Sequence, residues 1–297
     1  MPSSPRIALN NGVSMPALGL GVYQSSPEDT TEAVETAIRT GYRLIDTAAA
    51  YGNEREVGEG IRRSNVDRTE LFITTKLWIS DFGYDDALRA FDVSLSKLGL
   101  QSVDLYLLHW PMPTEFERTV AAYKAAETLL TDGRARAIGV CNHGSDDLAR
   151  LIARTDIVPA VNQIELHPYF TQQDARAAAA NHGIITQSWS PIGGVLVYQP
   201  DDSEKPKNPL TDPIIVGVAR KYGKSPAQVI LRWQIQHGLS PIPKSVRKAR
   251  IEENINVFDF ALTDDDVAAI DALDTGRRGG PDPAEVNTTL FPFTIED

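Results

Sequence analysis

Short apolar runs recur along the chain, separated by longer stretches in which apolar residues return every three or four positions. The runs predict strands over 18–23, 43–45, 71–76, 103–109, 135–141, 160–166, 184–188 and 239–243, because they are too short and too continuous to carry a helical period. The stretches between predict helices over 27–39, 54–63, 84–98, 116–131, 145–153, 172–180, 226–236 and 251–258. In the first of these, Ala33, Val34, Ala37 and Ile38 form the one-sided stripe of a helix that covers a sheet. Eight strands alternating with eight helices, with no break in composition, predict an α/β fold: a closed (β/α)8 TIM barrel occupying residues 1–297 as one domain. An open doubly wound sheet is the alternative, and its dinucleotide-binding form needs a Gly-x-Gly-x-x-Gly turn after the first strand. Here Gly19-Leu20-Gly21 runs into Val22-Tyr23-Gln24, and the fingerprint is absent. The eighth strand is the weakest, since Pro241 and Pro243 lack the N–H groups a ladder uses.

Three segments fall outside the alternation. Residues 6–9 and 13–15 flank Asn11-Gly12, which predicts an N-terminal β-hairpin with a type I′ turn, placed to plug one end of the barrel. Residues 197–213, rich in proline, acid and lysine, exceed what a connection needs and predict a lid over a site. Thr263 and Asp266 have the spacing of a capping box, predicting one more helix before a Gly/Pro-rich tail over 274–297. That tail carries Leu290-Phe291-Pro292-Phe293, and its phenylalanines are expected to pack back across the body, as ordinary packing or as pocket lining.

Composition narrows the function. A formal net charge of -11 argues against nucleic acid or an anionic membrane as partner. The one cysteine, Cys141, excludes an internal disulfide framework and a thiol-based zinc site. Behind Met1-Pro2-Ser3-Ser4-Pro5-Arg6 lies no apolar signal core, and no run approaches the roughly 20 apolar residues of a membrane helix. A soluble, cytoplasmic monomer is expected.

The chemistry gathers at strand ends. In the stretch from Gly41 to Gly58, the strand 43–45 is followed by Asp46, and Asn53 is placed to cap the next helix, which leaves Tyr51 on a strand-to-helix loop. Lys76 closes the third strand and His109 the fourth, so a barrel brings Asp46, Tyr51, Lys76 and His109 to one mouth. Taken singly, each has an ordinary structural explanation. Together they can donate a proton to a carbonyl: tyrosine, with a reference pKa of about 10, needs a cation to stabilise its phenolate. Lys76 can be that cation, Asp46 can hold it charged, and His109 can orient the carbonyl oxygen. None of the four carries a hydride, which must come from a cofactor.

These residues resemble the aldo-keto reductase family over nearly the whole chain. Gly41-Tyr42-Arg43, Asp46, Glu54 and Gly58 fit one long signature of that family, and Ile242-Pro243-Lys244-Ser245 leading to Arg250, Glu253 and Asn254 fits another. The resemblance implies a catalytic tetrad of Asp46, Tyr51, Lys76 and His109, with Tyr51 as the acid in reduction. It implies an NADPH site in which Trp189 stacks on the nicotinamide, Asn142 and Gln163 hold its carboxamide, and Ser190, Ile192 and Gly194 wrap the pyrophosphate. It further brings Gly21, Val22, Asp46, Cys141, Val246 and Asn254 to the cofactor. Lys244, Ser245 and Arg250 are implied to set the preference for NADPH over NADH, since a 2′-phosphate offers charge-assisted hydrogen bonds. Cys141 and Val22 depart from the serine and threonine common at their positions, which would weaken hydrogen bonds near the nicotinamide. Tyr23, Trp78 and Trp110, with Tyr51 and His109, match the lining of a pocket for small-molecule carbonyl substrates. Trp at 189 is similar to the bacterial subgroup that includes the 2,5-diketo-gluconate reductases.

Two other readings compete. A Schiff-base barrel of the aldolase type would use Lys76 as nucleophile but leave Tyr51 and the 244–250 stretch idle. A non-catalytic, NADPH-sensing binding module would have no use for an intact tetrad. A metal hydrolase is disfavoured, because His109, His143, His167, His182 and His237 show no close ligand pairing.

Overall fold

The computed structural model describes residues 4–193 and 208–295. Eight parallel strands form one sheet, β3 (Leu20–Gly21), β4 (Leu44–Asp46), β5 (Phe72–Leu77), β6 (Leu105–Leu108), β7 (Ile138–Cys141), β8 (Val161–Glu165), β9 (Ile185–Trp189) and β10 (Ser240–Pro241), paired in that spatial order. The sheet closes on itself. Gly19 N–H donates to Pro241 O at 3.1 Å, and Gly21 N–H to Pro243 O at 3.2 Å. The two prolines thus serve the closure as acceptors, and Ile242 between them turns its N–H the other way, to Ser188 O at 3.1 Å on β9. Gly21 is required by this seam, since a Cβ there would lie 2.9 Å from Ile242 O.

The hairpin β1 (Arg6–Ala8) and β2 (Ser14–Pro16) is antiparallel. Its turn is not type I′. Gly12 N–H closes on Leu9 O at 2.9 Å and Gly12 alone has positive φ, at 85°, so the loop is one residue longer than Asn11-Gly12 by itself would make it. The plug is real: Leu9 and Met15 are buried among Leu44, Phe72, Leu105 and Leu107 of the barrel interior. Asn10 and Asn11 donate to Pro159 O and Arg136 O, at 2.9 and 3.0 Å, where β8 and β7 begin.

Outside the sheet lie α1 (Pro27–Thr40), α2 (Glu54–Ser64), α3 (Tyr84–Leu98), α4 (Phe116–Thr131), α5 (Ser145–Ile152), α6 (Gln173–Asn181), α7 (Pro213–Tyr222), α8 (Pro226–Gln236), α9 (Lys248–Ile255) and α10 (Asp264–Asp271). The capping box of Thr263 with Asp266 forms as its spacing predicts. α9 starts three residues before the predicted 251, so Lys248 and Arg250 lie in its first turn, with Arg247 at the N-cap and Lys244 ahead of the helix. α7 is additional to the predicted helices: Asp212 caps it on Ile214 N–H, Pro213 opens it, and Gly223 ends it at φ 61°. Of the predicted lid, 197–207 lies outside the described residues, and its C-terminal part holds a 3-10 turn, Pro209–Thr211, capped by Asn208. Among the described residues no helix is long and apolar enough to cross a membrane.

α2 approaches its neighbours through glycine. A Cβ on Gly58 would sit 2.3 Å from the carbonyl oxygen of Leu98, the last residue of α3. Gly58→Ala is therefore expected to push the two helices apart and lower stability by about 2 kcal/mol, read as a shift in the urea midpoint; an unchanged midpoint would show that α3 yields freely.

Candidate active site

Each site residue stands where a strand runs out. β4 ends on Asp46, β5 carries Lys76 one residue before its end, His109 follows β6, Asn142 follows β7, and β9 ends on Trp189. Tyr51 sits in a single 3-10 turn, Ala49–Tyr51, which Gly52 ends at φ 67°. Asn53 does not cap α2 with its side chain. It accepts instead from Thr47 Oγ1 and donates to Val22 O, both at 2.9 Å, tying the Tyr51 loop to the end of β3.

The centre is Lys76, fully buried. Its Nζ donates to Asp46 Oδ1 at 2.5 Å, to Thr47 O at 2.9 Å and to Tyr51 Oη at 3.2 Å, so all three N–H bonds are engaged. Asp46 Oδ2 accepts from Gln163 Nε2 at 2.8 Å. Burial works to lower the lysine pKa, but the Asp46 carboxylate, helped by Tyr51, more than reverses it and the ammonium stays charged. On the other member of the pair burial prevails, lifting Asp46 above the usual carboxylate range against the pull of Lys76 and Gln163. Burial likewise raises the Tyr51 phenol despite Lys76, so the tyrosine holds its proton. His109 is pushed well below the ordinary histidine value, first by burial and then by the Lys76 charge, and its ring is neutral. Its Nδ1 has no hydrogen-bond partner among the described residues, and the ring stands edge-on to Tyr51 and Trp78, with centroids 5.6 and 5.3 Å away.

A cavity of about 500 Å³ opens over these groups and runs to Lys244. It brings together Gly21, Tyr23, Asp46, Tyr51, Trp78, His109, Trp110, Asn142, Gln163, Trp189, Ser190, Ile192 and Lys244 from the sequence-based expectation. Ile242, the first residue of the second signature, lines it as well, as do Gln24, Ala50, Pro191 and Pro281, which no signal in the sequence singles out. Phe291 and Phe293 are lining residues: Phe293 stacks on Trp78 with centroids 4.6 Å apart, and its carbonyl accepts from Trp78 Nε1 at 3.2 Å. Val22 and Cys141 are buried beside the cavity without lining it. Ser245, Val246, Arg250 and Asn254 also stand off its wall, with Arg250 exposed on α9 and Ser245 Oγ accepting from Arg247 N–H at 3.2 Å. Gly194 lies outside the described residues.

The lining fits a nicotinamide dinucleotide. Gln163 has both N–H bonds engaged, by Asp46 and by Gln187 Oε1 at 2.7 Å, which leaves its carbonyl as an acceptor. Asn142 donates to His109 O at 3.1 Å and accepts from Trp189 Nε1 at 2.9 Å, keeping one donor and one acceptor position. A primary carboxamide needs both kinds of partner, and the indole of Trp189 supplies a flat face beside them.

The buried pair generates a stability prediction. Lys76→Met leaves Asp46 buried without its counter-ion, held only by Gln163 among the described residues, which is expected to cost about 3 kcal/mol in urea unfolding, with Asp46→Asn on the same chain recovering most of it. A single variant as stable as the wild type would mean that water reaches the carboxylate. Comparison with known proteins then fixes the kinship. The chain is 58% identical over 289 residues to morphine 6-dehydrogenase of Pseudomonas putida, covering 97% of each. It is 45% identical over 289 residues to a glyoxal reductase of Bacillus subtilis, covering 96% of this chain and 99% of that one. The solved structure of a Bombyx mori aldo-keto reductase in complex with NADP superposes with a TM-score of 0.87 at 36% identity, covering 99% of both chains. The sequence profile described as the aldo/keto reductase family matches residues 15–275, and with that match the chain belongs to the aldo/keto reductase family.

Proposed function

We propose that this chain reduces aldehydes and ketones to alcohols with NADPH, and that Tyr51 donates the proton. The observation that carries the reading is the saturated ammonium of Lys76, one of whose hydrogen bonds ends on Tyr51 Oη at 3.2 Å. The phenol oxygen accepts from Lys76, which frees its own O–H to point at a substrate in the cavity. As that proton leaves, negative charge grows on an oxygen already facing a fixed, buried cation, which stabilises it without reorganising. Asp46 and Thr47 O keep the cation in place. Neutral His109 can donate one hydrogen bond to the same carbonyl oxygen and so align it with the phenol. NADPH, when bound, supplies the hydride.

The residues that would hold it are Trp189, Asn142 and Gln163 at the nicotinamide, with Gly21, Val22, Asp46, Cys141, Ser190, Ile192, Gly194, Val246 and Asn254 along its length. Lys244, Ser245 and Arg250 would meet the 2′-phosphate. Tyr23, Trp78, Trp110, Phe291 and Phe293 suit small carbonyl compounds with apolar surface. The Schiff-base reading is disfavoured by the same lysine. Such chemistry needs a free amine, whereas Lys76 is held charged with no N–H left over.

Tyr51→Phe should abolish carbonyl reduction, followed as loss of NADPH absorbance across a panel of aldehydes and ketones, while NADPH affinity stays nearly intact. Near-normal turnover in that variant would remove the proposed acid. Fluorescence-quenching titrations should show tighter binding of NADPH than of NADH; equal affinities would refute the role given to Lys244 and Arg250.

A further inference from the structure

We infer that Glu165 is a positioning residue that seats the C-terminal segment against Trp189 and thereby sets the wall of the substrate cavity. Glu165 is the last residue of β8, fully buried, and does not line the cavity. Its two carboxylate oxygens take two successive backbone amides of the tail: Oε1 accepts from Gly279 N–H at 2.8 Å and Oε2 from Gly280 N–H at 3.0 Å. His167 Nε2 donates to Oε1 at 3.0 Å, and Arg278 Nη1 stands 4.0 Å from Oε2. A carboxylate, whose two oxygens accept, suits three donors converging on it with a guanidinium nearby.

The seat continues into the site. A Cβ on Gly280 would lie 2.5 Å from Cη2 of Trp189 and 3.2 Å from Glu165 Oε2, so carboxylate, main chain and indole are stacked without spare room. On its other edge Trp189 donates to Asn142 Oδ1 at 2.9 Å. The residue after Gly280 is Pro281, a lining residue, and the chain then leads to Phe291 and Phe293 over Trp78. One carboxylate therefore fixes where the tail crosses the mouth. The hydrogen bonds of Lys76 and Asp46 run to Thr47, Tyr51 and Gln163 and not to Glu165, so the proton-donating group does not depend on it.

The test uses Glu165→Gln and, separately, Gly280→Ala. In Glu165→Gln an amide N–H faces a backbone N–H, and trypsin is expected to cut after Arg278 about tenfold faster than in the wild type, with the fragment identified by mass and the melting temperature monitored. The KM for a bulky aromatic ketone should rise about tenfold, while the KM for a small aldehyde and both kcat values stay within about twofold. Gly280→Ala, which keeps the carboxylate but leaves the tail no room beside Trp189, should likewise raise the KM for the bulky ketone about tenfold. Wild-type protection from trypsin in Glu165→Gln, or equal KM increases for both substrates, would overturn the inference. Should Glu165→Gln fail to fold, an unchanged KM for the bulky ketone in Gly280→Ala does so alone. The kinetic arm rests on the proposed reductase activity; the proteolytic arm does not, so a chain without turnover would defeat that activity and leave the seat still decided by trypsin.

Discussion

A single cation sealed inside the end of the barrel constrains everything around it. Lys76 is fully buried, and an isolated ammonium in such a place would be untenable. Its three hydrogen bonds demand a carboxylate, a main-chain carbonyl and a phenol at fixed positions. Those demands place β4, the turn that carries Tyr51, and β5 relative to one another. Gln163 on β8 extends the arrangement across the barrel by occupying the remaining carboxylate oxygen. The site is thus braced by strands from opposite sides of the cylinder, and closure of the sheet is what lets them meet.

That closure explains a feature that looked unfavourable. Two prolines in a strand remove donors, yet the seam between β10 and β3 needs carbonyls from Pro241 and Pro243 and amides from Gly19 and Gly21. The donor that β10 does need, toward β9, comes from Ile242. Proline is tolerated because the missing N–H groups are on the side where the partner strand does the donating.

The order of strands and helices was legible because each buried strand is an apolar run and each covering helix a periodic stripe. The strand-end residues were legible for the same reason, since a polar residue closing an apolar run has to face a mouth. What failed were side chains claimed by distant partners. Asn53 has the identity of a cap, but Thr47 and Val22 take its amide. α7 was hidden behind the charged, proline-rich residues before it, although Asp212-Pro213 at its start and Gly223 at its end are the ordinary signals of a helix. Glu165 gave no signal, because its partners are main-chain amides 114 and 115 positions away. The side chains of Phe291 and Phe293 were legible as packing elements, and only the cavity showed which surface they cover.

The stacking of Phe293 on Trp78 also bears on the order in which the protein is made. A ribosome has released all eight staves once β10 is out, while the two phenylalanines emerge some fifty residues later. The chemical centre can assemble first, and its roof arrives last. Until those last residues are made, Trp78 lacks the ring that stacks on it, and the mouth above the ion pair and Tyr51 lacks part of its wall.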